Sequence, residues 1–314
     1  MRSRVLGVLA VAVTLVFAWL ISASPARPAG LTEVTDFGAN PTGLRMHLYV
    51  PPGVRPRPPI LVAVHYCTGS GPAFHAGTEF AALADRYGFV VVYPSATRSG
   101  SCFDVSSPQA LRRDGGSDPV GIVSMVRYVQ QRANGDPGRV YVTGSSSGAM
   151  MTNVLLGAYP DVFKAGAAFA GVPLGCFAAT DGSGWNRSCA HGTLTRTPRQ
   201  WGDLVRAAYP GYDGPRPRIQ VWHGTRDGTL RYPNLAEEIK QWTDVHGLAR
   251  TPTATDHPRP NWTRTRYGTA VEAISLDGVG HTIPTAGMAA MAVHFLGLDD
   301  GPTATPARPS RTSR

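Results

Sequence analysis

At 314 residues, with 42% hydrophobic residues, 36 glycines and 27 prolines, the chain suits one large, loop-rich α/β domain rather than a disordered polymer. Its formal net charge of +9 lies partly at the termini, on Arg2, Arg4, Arg27, Arg308, Arg311 and Arg314. No basic stripe interleaved with aromatics is present, which argues against a nucleic-acid partner.

Arg2 and Arg4 precede an apolar run from Val5 to Ile21 and then the small residues Ser22-Ala23-Ser24-Pro25-Ala26. This is the build of a secretory signal peptide over residues 1–29, cleaved between Ala23 and Ala29, with an uncleaved anchor as the alternative. No second long apolar stretch follows, so the mature chain is expected to be extracellular and off the membrane. Four cysteines in an exported chain imply two disulfides, with three pairings open. Cys176 and Cys189 flank a short Gly/Ser-rich loop and form the natural local pair, leaving Cys67 with Cys102. No Cys-x-x-Cys or His-x-x-His spacing suggests a metal site.

In chain order, Leu44 to Val50 alternates as a strand, and Ile60 to Val64 is an apolar run of parallel-sheet character. Phe80 to Tyr87 predicts a helix closed by Gly88, and Phe89 to Tyr93 the next strand. Ser95 to Gly116 is too long for a plain connection and predicts a functional loop pinned by Cys102. Asp118 is expected to cap a helix with Pro119 in its first turn and Ile122, Val123, Met125, Val126 and Val129 on its core face. Val140 to Val142 and Ala165 to Ala170 predict strands, and Thr180 to Gly192 an irregular, disulfide-held segment. Helices are expected at Pro198 to Tyr209, Leu235 to Val245 and Pro284 to Phe295, with strands at Arg218 to Trp222 and Val271 to Leu276. The alternation predicts a doubly wound, mostly parallel sheet in a single domain over residues 30–298. Residues 299–314 form a tail without core residues, expected to be disordered.

The stretch from Val140 to Met151 organises the rest. A strand runs into Gly144-Ser145-Ser146-Ser147-Gly148 and then into helix formers, the context of a nucleophile elbow in an α/β-hydrolase. The turn is sharp, so small residues must flank Ser146, whose hydroxyl would stand above the sheet. A serine needs a base, and the base a carboxylate that fixes its tautomer. Two later strands supply them in the order this fold uses. Ile219 to Trp222 leads to Asp227, and Val271 to Leu276 leads to His281 in a glycine-flexed loop. Asp213 and Asp256 look like turn formers, Asp277 a turn cap, and His246 and His294 helix residues; His223 is expected to brace the acid loop. The oxyanion donors are then the backbone N–H of Ser147 and, on the loop after an early strand, that of Cys67.

These residues also carry a family resemblance. The elbow through Leu155 resembles carbohydrate esterase family 1 acetylxylan esterases and the polyhydroxybutyrate depolymerase-like esterases. So do Tyr159-Pro160-Asp161, Ala170-Gly171-Val172-Pro173, Gln200-Trp201-Gly202-Asp203, Trp222-His223-Gly224-Thr225 and Gly278-Val279-Gly280-His281. Departures are Tyr66, Arg226, Gly228 and Thr282, none of them a triad position. The resemblance implies a secreted serine esterase that deacetylates xylan, with Ser146, Asp227 and His281 at the matching positions. Feruloyl esters and short polyesters are alternative substrates, and an inactive carbohydrate-binding relative is the non-enzymatic alternative. Trp201, Trp222 and Trp262 are candidates for stacking on sugar rings, with core packing as the competing role. No metal or organic cofactor is called for, and the chain is expected to act as a monomer.

Overall fold

The apolar run Ile60–Val64 and the strand Val90–Ser95 are buried at every position, covered on both faces of the sheet. The computed structural model describes residues 30–179, 184–282 and 284–300, so the expected leader and residues 301–314 of the expected tail lie outside the described residues. The strands are β1 (Leu31–Val34), β2 (Arg45–Tyr49), β3 (Ile60–Val64), β4 (Val90–Ser95), β5 (Val140–Ser145), β6 (Ala165–Phe169), β7 (Arg218–Gly224), β8 (Ala254–Arg259), β9 (Trp262–Tyr267) and β10 (Val271–Leu276). Among the described residues they form one sheet in the order β1-β2-β4-β3-β5-β6-β7-β10-β9-β8. The block from β4 to β10 is parallel, with an antiparallel pair on each flank.

The helices are α1 (Gly71–Gly77), α2 (Phe80–Tyr87), α3 (Asp118–Arg132), α4 (Ser147–Ala158), α5 (Arg187–Ala190), α6 (Pro198–Ala208), α7 (Pro233–Val245) and α8 (Met288–Leu296). Side chains alternate across the sheet. Ile60, Val62 and Val64 join the core under α3, α4, α6 and α7, whereas Leu61 and Ala63 join the core under α1, α2 and α8. With helices on both faces, the architecture is that of a single-domain α/β-hydrolase. Strand order reverses between β3 and β5, which opens a crevice beyond their carboxyl ends.

Three local expectations change. The proline-rich stretch holding Asp256 and Trp262 is a hairpin, β8–β9, at the sheet edge, where Pro258 costs no inner ladder bond. Asp256 is no turn former; it pairs across the hairpin with Arg264 at 2.6 Å and Arg266 at 3.2 Å. Asp118 does not cap α3, because Ser117 occupies that position. Asp118 is buried instead and accepts from Arg98 through two 2.6 Å bonds and from the Asp104 N–H at 2.7 Å. That ion pair, with the Cys102 bridge, pins the long loop after β4. The last helix begins at Met288, after Gly287 with φ 82°, rather than at Pro284.

Candidate active site

β5 runs up the middle of the sheet and delivers Ser146 at its carboxyl end. Ser146 has φ 56° and ψ −117°, a strained conformation for a residue with a side chain. Its N–H donates to Phe169 O at 2.9 Å, and its carbonyl accepts from Met150 N at 3.0 Å, so β6 and α4 both hold the strain in place. The flanking glycines are required by backbone, not by taste for flexibility. A Cβ on Gly144 would stand 2.3 Å from Gly148 O, and one on Gly148 would stand 2.1 Å from Val64 O.

Because β5, β7 and β10 are parallel, the loops that follow them leave the sheet on the same edge. The β7 and β10 loops are laced together, Thr225 N to Leu276 O and Arg226 N to Val279 O, both at 2.9 Å. The structure brings Ser146, Asp227 and His281 into one chain. His281 Nε2 lies 2.9 Å from Ser146 Oγ, and His281 Nδ1 lies 2.7 Å from Asp227 Oδ2. A carboxylate only accepts, so Nδ1 carries the hydrogen and Nε2 is left as an acceptor facing the Ser146 hydroxyl. Asp227 Oδ1 accepts from Thr229 N at 2.8 Å and Leu230 N at 2.9 Å. Burial works against the charge on Asp227, yet the His223 and His281 hydrogen bonds outweigh it and hold the carboxyl well below its usual range.

His223 touches Asp227 and not Ser146. Its Nε2 donates to Leu230 O at 2.6 Å and lies 3.4 Å from Asp227 Oδ2, so it braces the acid loop. The other histidines weighed as bases are occupied elsewhere, His246 with Pro217 O at 3.0 Å and His294 with Asp299 at 2.9 Å.

The loop after β3 is held by a residue that sequence reasoning passed over. Ala96 N donates to His65 Nε2 at 3.1 Å, so Nδ1 carries the hydrogen and donates to Tyr66 O at 2.6 Å. Burial pushes the His65 imidazolium form further out of reach. With Tyr66 O fixed on one side of a planar trans peptide, the Cys67 N–H faces the other. The Cys67–Cys102 bond and the Thr68 N–H to Gly100 O bond at 2.7 Å anchor the same loop from outside. Neither the Cys67 nor the Ser147 N–H has an acceptor among the described residues. All four cysteines are bonded, Cys67 to Cys102 and Cys176 to Cys189.

The tryptophans are a correction. Trp201, Trp222 and Trp262 are 0%, 1% and 5% exposed, so none offers a face to a sugar. Trp201 donates to Glu237 Oε2 at 2.6 Å and Trp222 to Gln220 Oε1 at 2.7 Å. Trp222 stacks on Phe169 and meets the edge of Trp262, each with ring centroids 5.3 Å apart. The indole N–H groups of Trp201 and Trp222 found buried acceptors, and their rings went with them. Among the described tryptophans the exposed one is Trp185, at 51%, beside Phe177.

A family profile described as "Esterase PHB depolymerase" matches residues 44–184. An acetylxylan esterase of Coprinopsis cinerea is 47% identical over 281 residues, covering 88% of this chain and 75% of the relative. Feruloyl esterase B of Talaromyces stipitatus is 44% identical over 282 residues, covering 88% and 78%. The solved acetyl xylan esterase from Aspergillus awamori superposes with a TM-score of 0.83 at 42% identity, covering 86% of this chain and 99% of that one. Identity at this level, sustained over most of both partners and on the same α/β-hydrolase scaffold, makes this chain a carboxylic ester hydrolase belonging to the family of acetylxylan esterases and polyhydroxybutyrate depolymerase-like esterases.

Proposed function

We propose that the protein is a secreted acetylxylan esterase that works through a serine acyl-enzyme. Ser146 Oγ attacks the acetyl carbonyl while His281 Nε2 takes the hydroxyl proton. Asp227 holds the Nδ1–H and offsets the positive charge that forms on the ring. The Cys67 and Ser147 N–H groups hold the tetrahedral oxyanion. His281 then returns its proton to the departing sugar oxygen, and water, deprotonated by the same imidazole, releases acetate and restores Ser146. The observation that carries this reading is the unbroken contact chain from Ser146 Oγ to His281 at 2.9 Å and from His281 to Asp227 at 2.7 Å.

Acetylated xylan is favoured by the relatives named for it, and the feruloyl esterase at similar identity marks the competing acyl group. The leader-like N-terminus and the disulfides support action outside the cell, where such bonds persist. Acetate release from acetylated xylan and ferulate release from methyl ferulate should be measured side by side on wild type and Ser146→Ala. Acetate is expected to dominate, and the alanine variant to lose about 10⁴-fold or more in kcat. Dominant ferulate release would replace the acyl assignment. Equal turnover by the alanine variant would remove Ser146 from the chemistry altogether.

A further inference from the structure

The sheet face covered by α8 changes character along its strands. Near the carboxyl ends it is apolar, with Trp222, Ile274 and Leu276 in one core with α8. Toward the other end the same face carries Arg218 and Gln220 on β7, Glu272 on β10 and Arg266 on β9, with Arg264 opposite Ile274. A cleft of about 290 Å³ opens there beside the last turn of α8, and Arg218, Arg264, Arg266, Thr269, Glu272 and Phe295 are among its walls. One water takes up about 30 Å³, so the cleft is sized for a small organic molecule, at the lower end of ligand pockets.

Three guanidiniums face one carboxylate across this cleft, and that carboxylate is occupied. Glu272 Oε1 accepts from Gln220 Nε2 at 2.7 Å and Oε2 from Arg266 Nε at 3.1 Å. Asp256, beyond the lining, accepts from Arg264 Nε and Nη2 at 2.8 and 2.6 Å and from Arg266 Nη2 at 3.2 Å. Even with Asp256 counted, one guanidinium is left over. Arg218 has no carboxylate partner among the described residues, and its guanidinium lies over the Phe295 ring at 4.9 Å. The Nη1 groups of Arg264 and Arg266 make no hydrogen bond among the described residues either. His294, on the rim, is held by Asp299 at 2.9 Å.

We propose that this cleft is a second, non-catalytic site that binds a carboxylate-bearing sugar, a uronate unit on the polysaccharide whose esters the protein hydrolyses, a substrate that rests on the serine-esterase reading above. The carboxylate meets Arg218, with the Arg264 and Arg266 Nη1 groups beside it, because a planar guanidinium fork matches a carboxylate. Thr269 and Glu272 offer a hydroxyl and lone pairs to the sugar ring.

The cleft stands apart from the triad. β10 starts at its wall with Val271 and ends at Leu276, below the His281 loop, five steps of about 3.3 Å or about 17 Å along the strand. One polymer chain reaches both places, and a contact at the cleft raises the effective concentration of its esters at Ser146. A small ester gains nothing from it.

The test is calorimetric titration with sodium glucuronate at low ionic strength, where a charge contact is least screened. Glucose, which differs at C6 alone, and inorganic phosphate are titrated beside it. Wild type is expected to bind glucuronate saturably, and glucose and phosphate about tenfold more weakly or less. Arg218→Gln should weaken glucuronate binding by about tenfold or more, as the loss of a charged hydrogen-bonding partner does. Thr269→Glu, a change at an exposed position that sets a carboxylate on the cleft wall, should abolish it, and serves as the reading if Arg218→Gln does not fold. Both variants should keep wild-type kcat and KM on p-nitrophenyl acetate. On acetylated xylan bearing glucuronate branches their KM should rise about fivefold, and on the same polymer with its carboxyls reduced it should match wild type. Glucuronate binding that is absent in wild type, unchanged in both folded variants, or matched by glucose or phosphate would overturn the site. Binding is read without turnover, so the failures separate. A wild type that binds glucuronate but hydrolyses no ester loses the esterase reading; one that hydrolyses esters but binds no glucuronate loses the cleft alone.

Discussion

The sharpest test of the triad geometry is Asp227→Asn, because the acid's surroundings dictate how the amide must sit. Oδ1 accepts from two backbone donors, Thr229 N at 2.8 Å and Leu230 N at 2.9 Å. An NH₂ turned toward that pair would face two N–H groups and lose both bonds, each worth about 1 kcal/mol before the desolvation penalty. The amide oxygen therefore takes the Oδ1 place, and the NH₂ takes the Oδ2 place, 2.7 Å from His281 Nδ1. Facing a donor, Nδ1 must become the acceptor, and the ring hydrogen moves to Nε2, 2.9 Å from Ser146 Oγ. The imidazole then points a proton at the hydroxyl it should deprotonate. The substitution is nearly isosteric, so binding should survive while kcat falls by about 10⁴-fold, equivalent to about 5.5 kcal/mol in the barrier. Steady-state kinetics on p-nitrophenyl acetate, with thermal melting to confirm the fold, gives the answer. A loss smaller than tenfold in a folded Asn variant would refute the assignment of Asp227 as the group that sets the tautomer.

Gly148→Ala should fail for a steric reason. Its Cβ would stand 2.1 Å from Val64 O and 2.6 Å from His65 O, so β3 and α4 must separate by about 1 Å, at a cost of about 1–3 kcal/mol. Thermal melting and kcat should both drop, kcat by about 100-fold because the loop carrying Cys67, the proposed oxyanion donor, moves with β3. Removing disulfides should separate stability from activity. The Cys176–Cys189 bridge spans 13 residues and the Cys67–Cys102 bridge 35, which correspond to about 3 and about 4 kcal/mol of chain-entropy stabilisation. Cys67→Ser with Cys102→Ser should also lower kcat, whereas the Cys176/Cys189 double serine variant should lower denaturant midpoints alone. Glu238 makes stability depend on pH. Its folded value, raised from 4.5 to about 7, favours the native state at low pH, and that advantage is lost as pH climbs through this window. Urea melts at pH 5 and 8 should therefore find Glu238→Gln more stable than wild type by up to about 3 kcal/mol at pH 8 and little changed at pH 5.

What could be read in advance, and what could not, follows from whether a residue's role is decided locally. Ile60 to Val64 and Val140 to Val142 read as buried strands because only a strand covered on both faces tolerates apolar side chains at every position, although β5 runs on through the polar Thr143 and Ser145. The elbow read clearly because the backbone atoms that crowd Gly144 and Gly148 belong to the same strand–turn–helix unit or to the adjoining strand. Asp227 and His281 could be found because parallel strands oblige their loops to share an edge. The β8–β9 hairpin was hidden because its inward positions are Arg264 and Arg266, and those are acceptable there only once Asp256 and Glu272 neutralise them from neighbouring strands. Trp201 was undecidable for the same reason, since Glu237 on α7 fixes its indole from another element, and Trp222 and Trp262 are buried by packing against each other across the sheet. Glu238 differs. Leu235, Glu238 and Trp242 fall three and then four residues apart, so α7's period alone puts an acid on the buried stripe. An ionisable group there carries a desolvation penalty that packing alone cannot offset, and in the fold burial pushes the Glu238 carboxyl up while Asn153 donates to its Oε1.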